Sequence, residues 1–125
     1  MNDSLKPEIN GHCPVAYLAI GEAAAGDPEF SSTHNGKLYH FVSTEAKQEF
    51  DSNPEKYVPA YGGRCAFGMS IEKDFDPDPT NFKIIDGRVY LFLKNEDTDA
   101  LELWNQDEEK CLASADRHWS AQTAE

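Results

Sequence analysis

The chain is short of cationic side chains, of cysteine and of long apolar runs, and each shortage removes a class of function. Lys and Arg number 11 against 23 Asp and Glu, a formal net charge of −12. Such a chain repels phosphate backbones and anionic lipid, so nucleic acid and membrane surfaces are excluded as partners. Cations, or a basic protein face, are favoured instead. No apolar run approaches the roughly 18 residues of a membrane helix. The opening stretch MNDSLKPEIN lacks the basic and apolar regions of a signal peptide. The protein is therefore expected in the cytoplasm if that terminus is native, and in the periplasm or outside the cell if a leader has been removed. Three cysteines, Cys13, Cys65 and Cys111, are too few for a disulfide framework and allow one bridge at most. Catalytic signatures are missing too: there is no G-x-S-x-G, Walker loop, H-E-x-x-H or dinucleotide fingerprint. The reading leans away from an enzyme.

What is present is enough for a modest core: 125 residues, 39% hydrophobic, with seven Phe, five Tyr and two Trp. Residues 1–12 read as a polar arm, residues 13–119 as a single domain and residues 120–125 as a tail. The apolar stretch PVAYLAIGEAAAG is compatible with a short strand or a helical turn. Asn35-Gly36 suits a type I′ turn, because both central residues need positive φ, and predicts a hairpin with strands near 29–34 and 37–42. Ser43 then suits a helix N-cap, Glu45 sits in the first turn, and Ala46 and Phe50 share a face. Asn53-Pro54 opens a further helical turn. Residues 58–81 read as a long ordered loop, because Tyr61, Cys65, Phe67, Met69 and Phe75 would not be left in water. A second hairpin is centred on Asp86-Gly87, Asn95 is placed to cap the next helix, and a last helix begins near Asp107 with Cys111, Leu112, Ala115 and Trp119 at helical spacing.

The two halves match. NGKLYHF and DGRVYLF lie 51 residues apart, pairing Tyr39 with Tyr90 and Phe41 with Phe92, and PEKYV matches EEKCL after a three-residue insertion. One unit, hairpin then helix, is used twice. Since a lone hairpin cannot bury its apolar face, the expected fold is α+β, two hairpin-plus-helix units packed as one small domain.

Chemistry concentrates in INGHCPVAY, where His12 and Cys13 follow a glycine. Thiolate and imidazole suit copper or zinc. Cys13 and Cys65, both beside turns, with nitrogen from His12 or His40, form the candidate ligand set. Two alternatives stay open: the thiols are separate buried residues, since free cysteine behaves as a small hydrophobe, or they form a disulfide. A cysteine beside a histidine can also serve as nucleophile and base, but adjacency alone does not bring imidazole to sulfur. Strand alternation puts Leu38, His40 and Val42 on one face. His34 and His118 read as surface residues, Cys111 as core, and Met69 as a packing group that could offer a thioether. The carboxylates of EKDFDPDPTN lack the glycine turn and terminal Glu of an EF-hand and read as a solvated loop.

Several stretches together resemble the stand-alone bacterial YHS domain proteins: ING at 9–11, PVAY at 14–17, YHFVS at 39–43, NPEKY at 53–57, PAYGGRCA at 59–66, DP at 78–79, DGRVYL at 86–91 and ASADRHW at 113–119. The resemblance implies a small α+β domain related to the treble-clef-like heavy-metal domains, whose relatives are fused to copper-transporting ATPases and other metal-handling proteins. Metal-binding relatives carry cysteines in a pattern like F-C-S-x-x-C, and those positions are Val42 and Ala46 here, so that thiolate pair is missing. Cys65 does match the group's cysteine. The expected function is copper or zinc binding in sensing, delivery or storage. The alternative is a metal-free interaction module, in which the acidic surface and the aromatic loop 61–75 dock a protein partner or a second copy.

Overall fold

The computed structural model describes residues 7–34 and 36–123. It is an α+β structure of six helices and four strands within those residues. The chain divides into two compact units, 1–59 with 84–89, and 60–83 with 90–125. Each repeats one order of elements.

In the first half, a 3₁₀ turn at Glu8–Gly11 leads to helix α1 (Pro14–Ala19), strands β1 (Asp27–His34) and β2 (Lys37–Phe41), and helices α2 (Thr44–Ser52) and α3 (Pro54–Tyr57). In the second, a 3₁₀ turn at Ala60–Gly63 leads to α4 (Ala66–Ser70), β3 (Asp78–Ile85), β4 (Arg88–Phe92), α5 (Ala100–Gln106) and α6 (Glu108–Thr123). Both sheets are two-stranded, β1-β2 and β3-β4, and β1 pairs antiparallel with β2.

The repeat extends well beyond the matched hairpin strings. Asp27-Pro28 and Asp78-Pro79 open the two hairpins, and each aspartate accepts a backbone N–H two residues on, from Glu29 and from Thr80, at 2.9 Å in both cases. Asp86 and Gly87 take φ of 52° and 79°, the left-handed pair that a type I′ turn needs. Of the other turn, Asn35 lies outside the described residues, and Gly36 takes φ of 79°. Asn53 and Asp107, which link the paired helices, share a conformation, φ/ψ −155°/67° and −157°/66°.

In each hairpin two aromatic side chains of the second strand pack against one aromatic residue of the helix that follows, and on β4 Val89 and Leu91, on the other face, are buried as well. In the first unit Phe50 of α2 meets Tyr39 and Phe41, with ring centroids 5.0 and 5.1 Å apart. In the second, Trp104 of α5 meets Tyr90 and Phe92 at 6.0 and 5.3 Å. Phe50 and Trp104 are almost wholly removed from solvent. Ser43 caps α2 as expected, accepting the Ala46 N–H at 3.1 Å, and Ala46 and Phe50 are the buried residues of that helix.

Several boundaries differ from the sequence expectation. Residues 7–12 do not behave as a polar arm: Ile9 and Gly11 are buried, and Pro7 bridges to Leu38. Residues 120–123 continue α6 instead of forming a tail. The stretch 58–81 contains the second 3₁₀ turn and α4. Asn95 does not cap α5. Its side chain accepts the N–H groups of Asp97 and Thr98 in a local turn, and Asp99 is the cap, accepting from Leu101 and Glu102. Asn81, itself buried, donates to Asp99 at 3.0 Å, and that bond holds the Asp99 carboxyl below its usual range.

Two outcomes follow. Phe50→Ala or Trp104→Ala empties the centre of one unit and is expected to cost about 3–5 kcal/mol in urea unfolding. Burial, with Glu8 nearby, pushes the Tyr39 phenol up to about 12, and burial with the Asp116 carboxylate raises Tyr61 as well. The unfolded chain ionises these phenols near the ordinary value of 10.0, so their share of stability is intact below that pH and is lost as pH climbs toward the folded values. Denaturant midpoints measured from pH 9 upward should fall, and Tyr39→Phe should lessen the fall.

Candidate functional site

The two candidate thiols occupy equivalent places in the two units. Ile9-Asn10-Gly11-His12-Cys13 corresponds to Tyr61-Gly62-Gly63-Arg64-Cys65. Both stretches make a left-handed turn: φ is 58°, 51° and 80° at Ile9, Asn10 and Gly11, and 58°, 64° and 81° at Tyr61, Gly62 and Gly63. Only glycine adopts this conformation without cost, so a β-branched Ile and a Tyr held there mark a backbone fixed by its surroundings. Each turn then leads into a cysteine at the N-cap of a short helix, Cys13 for α1 and Cys65 for α4.

The backbone of each cysteine is tied to the segment just before the hairpin. Cys13 N–H donates to the Ala24 carbonyl at 2.8 Å and Cys65 N–H to that of Phe75 at 3.2 Å. Both thiols are 0% exposed. Cys13 lies in the first unit's core with Val15, Tyr39, Phe41 and Phe50. The Cys65 sulfur accepts two backbone N–H groups, from Gly68 at 3.4 Å and from Leu93 at 3.2 Å. It therefore caps α4 and clasps the end of β4.

His12 and Cys13 are neighbours in extended backbone, so their side chains project to opposite sides. The thiol enters the core while the imidazole is half-buried and holds the turn, with Nδ1 donating to the Ile9 carbonyl at 3.1 Å. A carbonyl can only accept, so Nδ1 carries the proton and Nε2 keeps the lone pair of the neutral ring. His40 is half-buried on the β2 face opposite Tyr39 and Phe41, as alternation requires. Its backbone leaves no room for a Cβ at Gly26, which would come within 2.6 Å of the His40 carbonyl carbon. That close approach is why glycine stands there.

Among the described residues, no group of three or more His, Cys, Asp and Glu side chains is gathered as a metal site. Cys13 belongs to the first unit and Cys65 to the second. All three cysteines are free thiols. His34 and His118, expected at the surface, are half-buried: His34 stands edge-on to Phe50 at 6.0 Å, and His118 Nδ1 is 2.9 Å from the Met69 carbonyl. Met69 is a packing residue whose sulfur accepts from Gln122 at 3.4 Å. In the acidic loop, Asp74 and Asp76 pair with Arg64.

The equivalence of Cys13 and Cys65 escaped the sequence reading, although its signal is there. The cysteines lie 52 residues apart and the hairpins 51, the difference being one residue fewer in α4 than in α1. The same alignment pairs Ile20 with Ile71. These are the C-cap residues of α1 and α4, and they are 64% and 46% exposed. No described helix is long and apolar enough to cross a membrane. No family model, no curated protein and no solved structure matches the chain.

Thiol reactivity tests this description. In the native protein an aromatic disulfide reagent should titrate Cys111, the half-buried cysteine, and should reach the other two only on unfolding. Burial pushes the Cys111 thiol up, so its reaction needs a more alkaline pH than that of an ordinary cysteine. Cys65→Ala leaves two N–H groups without their sulfur acceptor and is expected to cost about 1–3 kcal/mol. Cys65→Ser, which keeps an acceptor, should cost less.

Proposed function

We propose that the chain is an interaction module that binds a positively charged protein partner without needing a metal. The observation that carries this reading is the repeated exposure of an isoleucine, Ile20 and Ile71, at the same place in both units of a chain with net charge −12. Apolar side chains left in water at matching positions, on a surface rich in carboxylates, suit a partner that brings apolar contact and basic side chains together. The acidic loop between α4 and β3, with Glu72, Asp74 and Asp76, adjoins Ile71. We read the chain as a diverged YHS-type protein. Support for that comes from its small α+β fold, which the resemblance implies.

The test is fluorescence anisotropy with a lysine-rich amphipathic peptide and a glutamate-rich counterpart of the same apolar pattern. The lysine peptide should bind, and should weaken as added salt shortens the screening length to about 10 Å near 0.1 M. Equal binding of the glutamate peptide, or none by either, overturns the reading.

A second reading, copper or zinc binding, draws on one observation. The Nδ1 of His12 donates to a carbonyl, which is how ligating imidazoles are commonly oriented, with Nε2 left for the ion. His40 would supply a second nitrogen, and Cys13 and Cys65 would join only by leaving the interior. Affinity should drop with pH because the ligands must be deprotonated. Titration with Zn(II) or Cu(I) decides it: stoichiometric binding lost in His12→Gln supports this reading, and binding unchanged in both His12→Gln and Cys13→Ser/Cys65→Ser removes these residues from it.

A further inference from the structure

The second unit holds an unbroken series of oxidisable rings. Trp119 of α6 meets Tyr61 with ring centroids 6.3 Å apart, Tyr61 meets Tyr90 at 5.6 Å, and Tyr90 meets Trp104 at 6.0 Å. All four residues belong to that one unit. These are ordinary aromatic contact distances, edge-on or tilted. Phe92, which touches Trp104, cannot be oxidised and ends the series. Trp119 is half-buried, whereas Trp104 and Tyr61 are 0% and 5% exposed.

The first unit has the same skeleton without the series. Ile9 stands where Tyr61 does, Phe50 where Trp104 does, and α3, at four residues, has no counterpart of Trp119. Only Tyr90 keeps an oxidisable equivalent, Tyr39. The aromatic packing that the fold requires is therefore met in the first unit with almost no redox-active ring.

In the second unit a base accompanies the rings at each end. The Tyr61 hydroxyl donates to Asp116 at 2.6 Å, and the Trp104 N–H donates to Glu108 at 3.0 Å, both carboxylates lying on α6. A phenol that loses an electron becomes a strong acid, so a carboxylate already on its proton makes that loss easier. The two bases are unequal. Lys83 also pairs with Glu108 and holds its carboxyl below the usual range, which makes it a poor proton acceptor. Asp116 is exposed, so a proton received there has an outlet to water.

We propose that the second unit is a one-electron relay, in which a diffusing oxidant takes an electron from Trp119 or Trp104 and the hole passes through the ring contacts to rest on Tyr61. The oxidant gains one electron, and the tryptophan becomes a radical cation. That cation regains an electron from Tyr61, by way of Tyr90 when it starts at Trp104. The phenol proton moves along its hydrogen bond to Asp116. The products are a neutral tryptophan, a neutral tyrosyl radical and a protonated Asp116. The natural oxidant belongs to the class of small oxidising radicals, for which azidyl radical, reduced to azide ion, is the probe.

The experiment is pulse radiolysis of the full chain in azide solution, following the tryptophan and tyrosyl radical absorptions. The tryptophan signal should decay as the tyrosyl signal rises, at a rate independent of protein concentration. Tyr61→Phe, with its fold checked by circular dichroism, should abolish the rapid rise. Asp116→Asn, a change at an exposed site that leaves every ring in place, should slow the rise and abolish its slowing in heavy water. Tyr39→Phe, in the first unit, should leave the rise unaltered. Unchanged kinetics in Tyr61→Phe, loss of the rise in Tyr39→Phe, or a rate that grows with protein concentration overturns the relay. Unchanged kinetics in Asp116→Asn overturns the proton step. None of these outcomes bears on the interaction reading, which concerns other residues.

Discussion

A two-stranded hairpin has one face too many. Alternate side chains of β2 and β4 point to one side, and nothing within the hairpin can cover them. In this chain one aromatic ring from the next helix packs on the aromatic side chains of each second strand, Phe50 over Tyr39 and Phe41, and Trp104 over Tyr90 and Phe92. That contact fixes where each helix must start, so the caps Ser43 and Asp99 are consequences of it. It also sets the limit of tolerance in each unit. The larger indole of Trp104 takes the place of the Phe50 ring, and its N–H is satisfied by Glu108 at 3.0 Å. Glu108 also accepts from Lys83 of β3, so one carboxylate joins the strand to both helices of its unit.

The left-handed turns ahead of Cys13 and Cys65 are the second constraint. Three successive positive φ values are costly for any residue with a side chain, yet the pattern occurs in both halves with Ile9 and Tyr61 at the same point. The turn reverses the chain so that the cysteine N–H faces the segment before the hairpin and its sulfur faces inward. In the second unit the sulfur serves as an acceptor for two backbone N–H groups that would otherwise be buried unpaired. This is structural work for a thiol, and it explains a cysteine at this position without recourse to an ion.

Most of the fold was legible because its signals are local. Asp86-Gly87 announces a turn through the φ each residue tolerates, Ser43 announces a helix start through its oxygen, and Ala46 and Phe50 announce a face through their spacing. Where local signals compete, sequence reasoning chose wrongly. Asn95 and Asp99 are both good caps. Asp99 wins because Asn81, 18 residues earlier, fixes its carboxylate, and no local rule contains that bond. The candidate site was less legible still, since His12 and Cys13 are adjacent in the chain and face opposite ways once the backbone there is extended.

The sequence by itself determined the α+β class, the two hairpins and the doubling of one unit, because turn chemistry, period-two alternation and capping act over a few residues. Only the tertiary structure decided the fate of the cysteines and of the exposed isoleucines. Whether a thiol is a ligand or a core atom depends on what packs around it. For Cys65 those groups are the Gly68 N–H and the Leu93 N–H, and the second of these, 28 residues further along the chain, meets the sulfur only when the second unit closes around it.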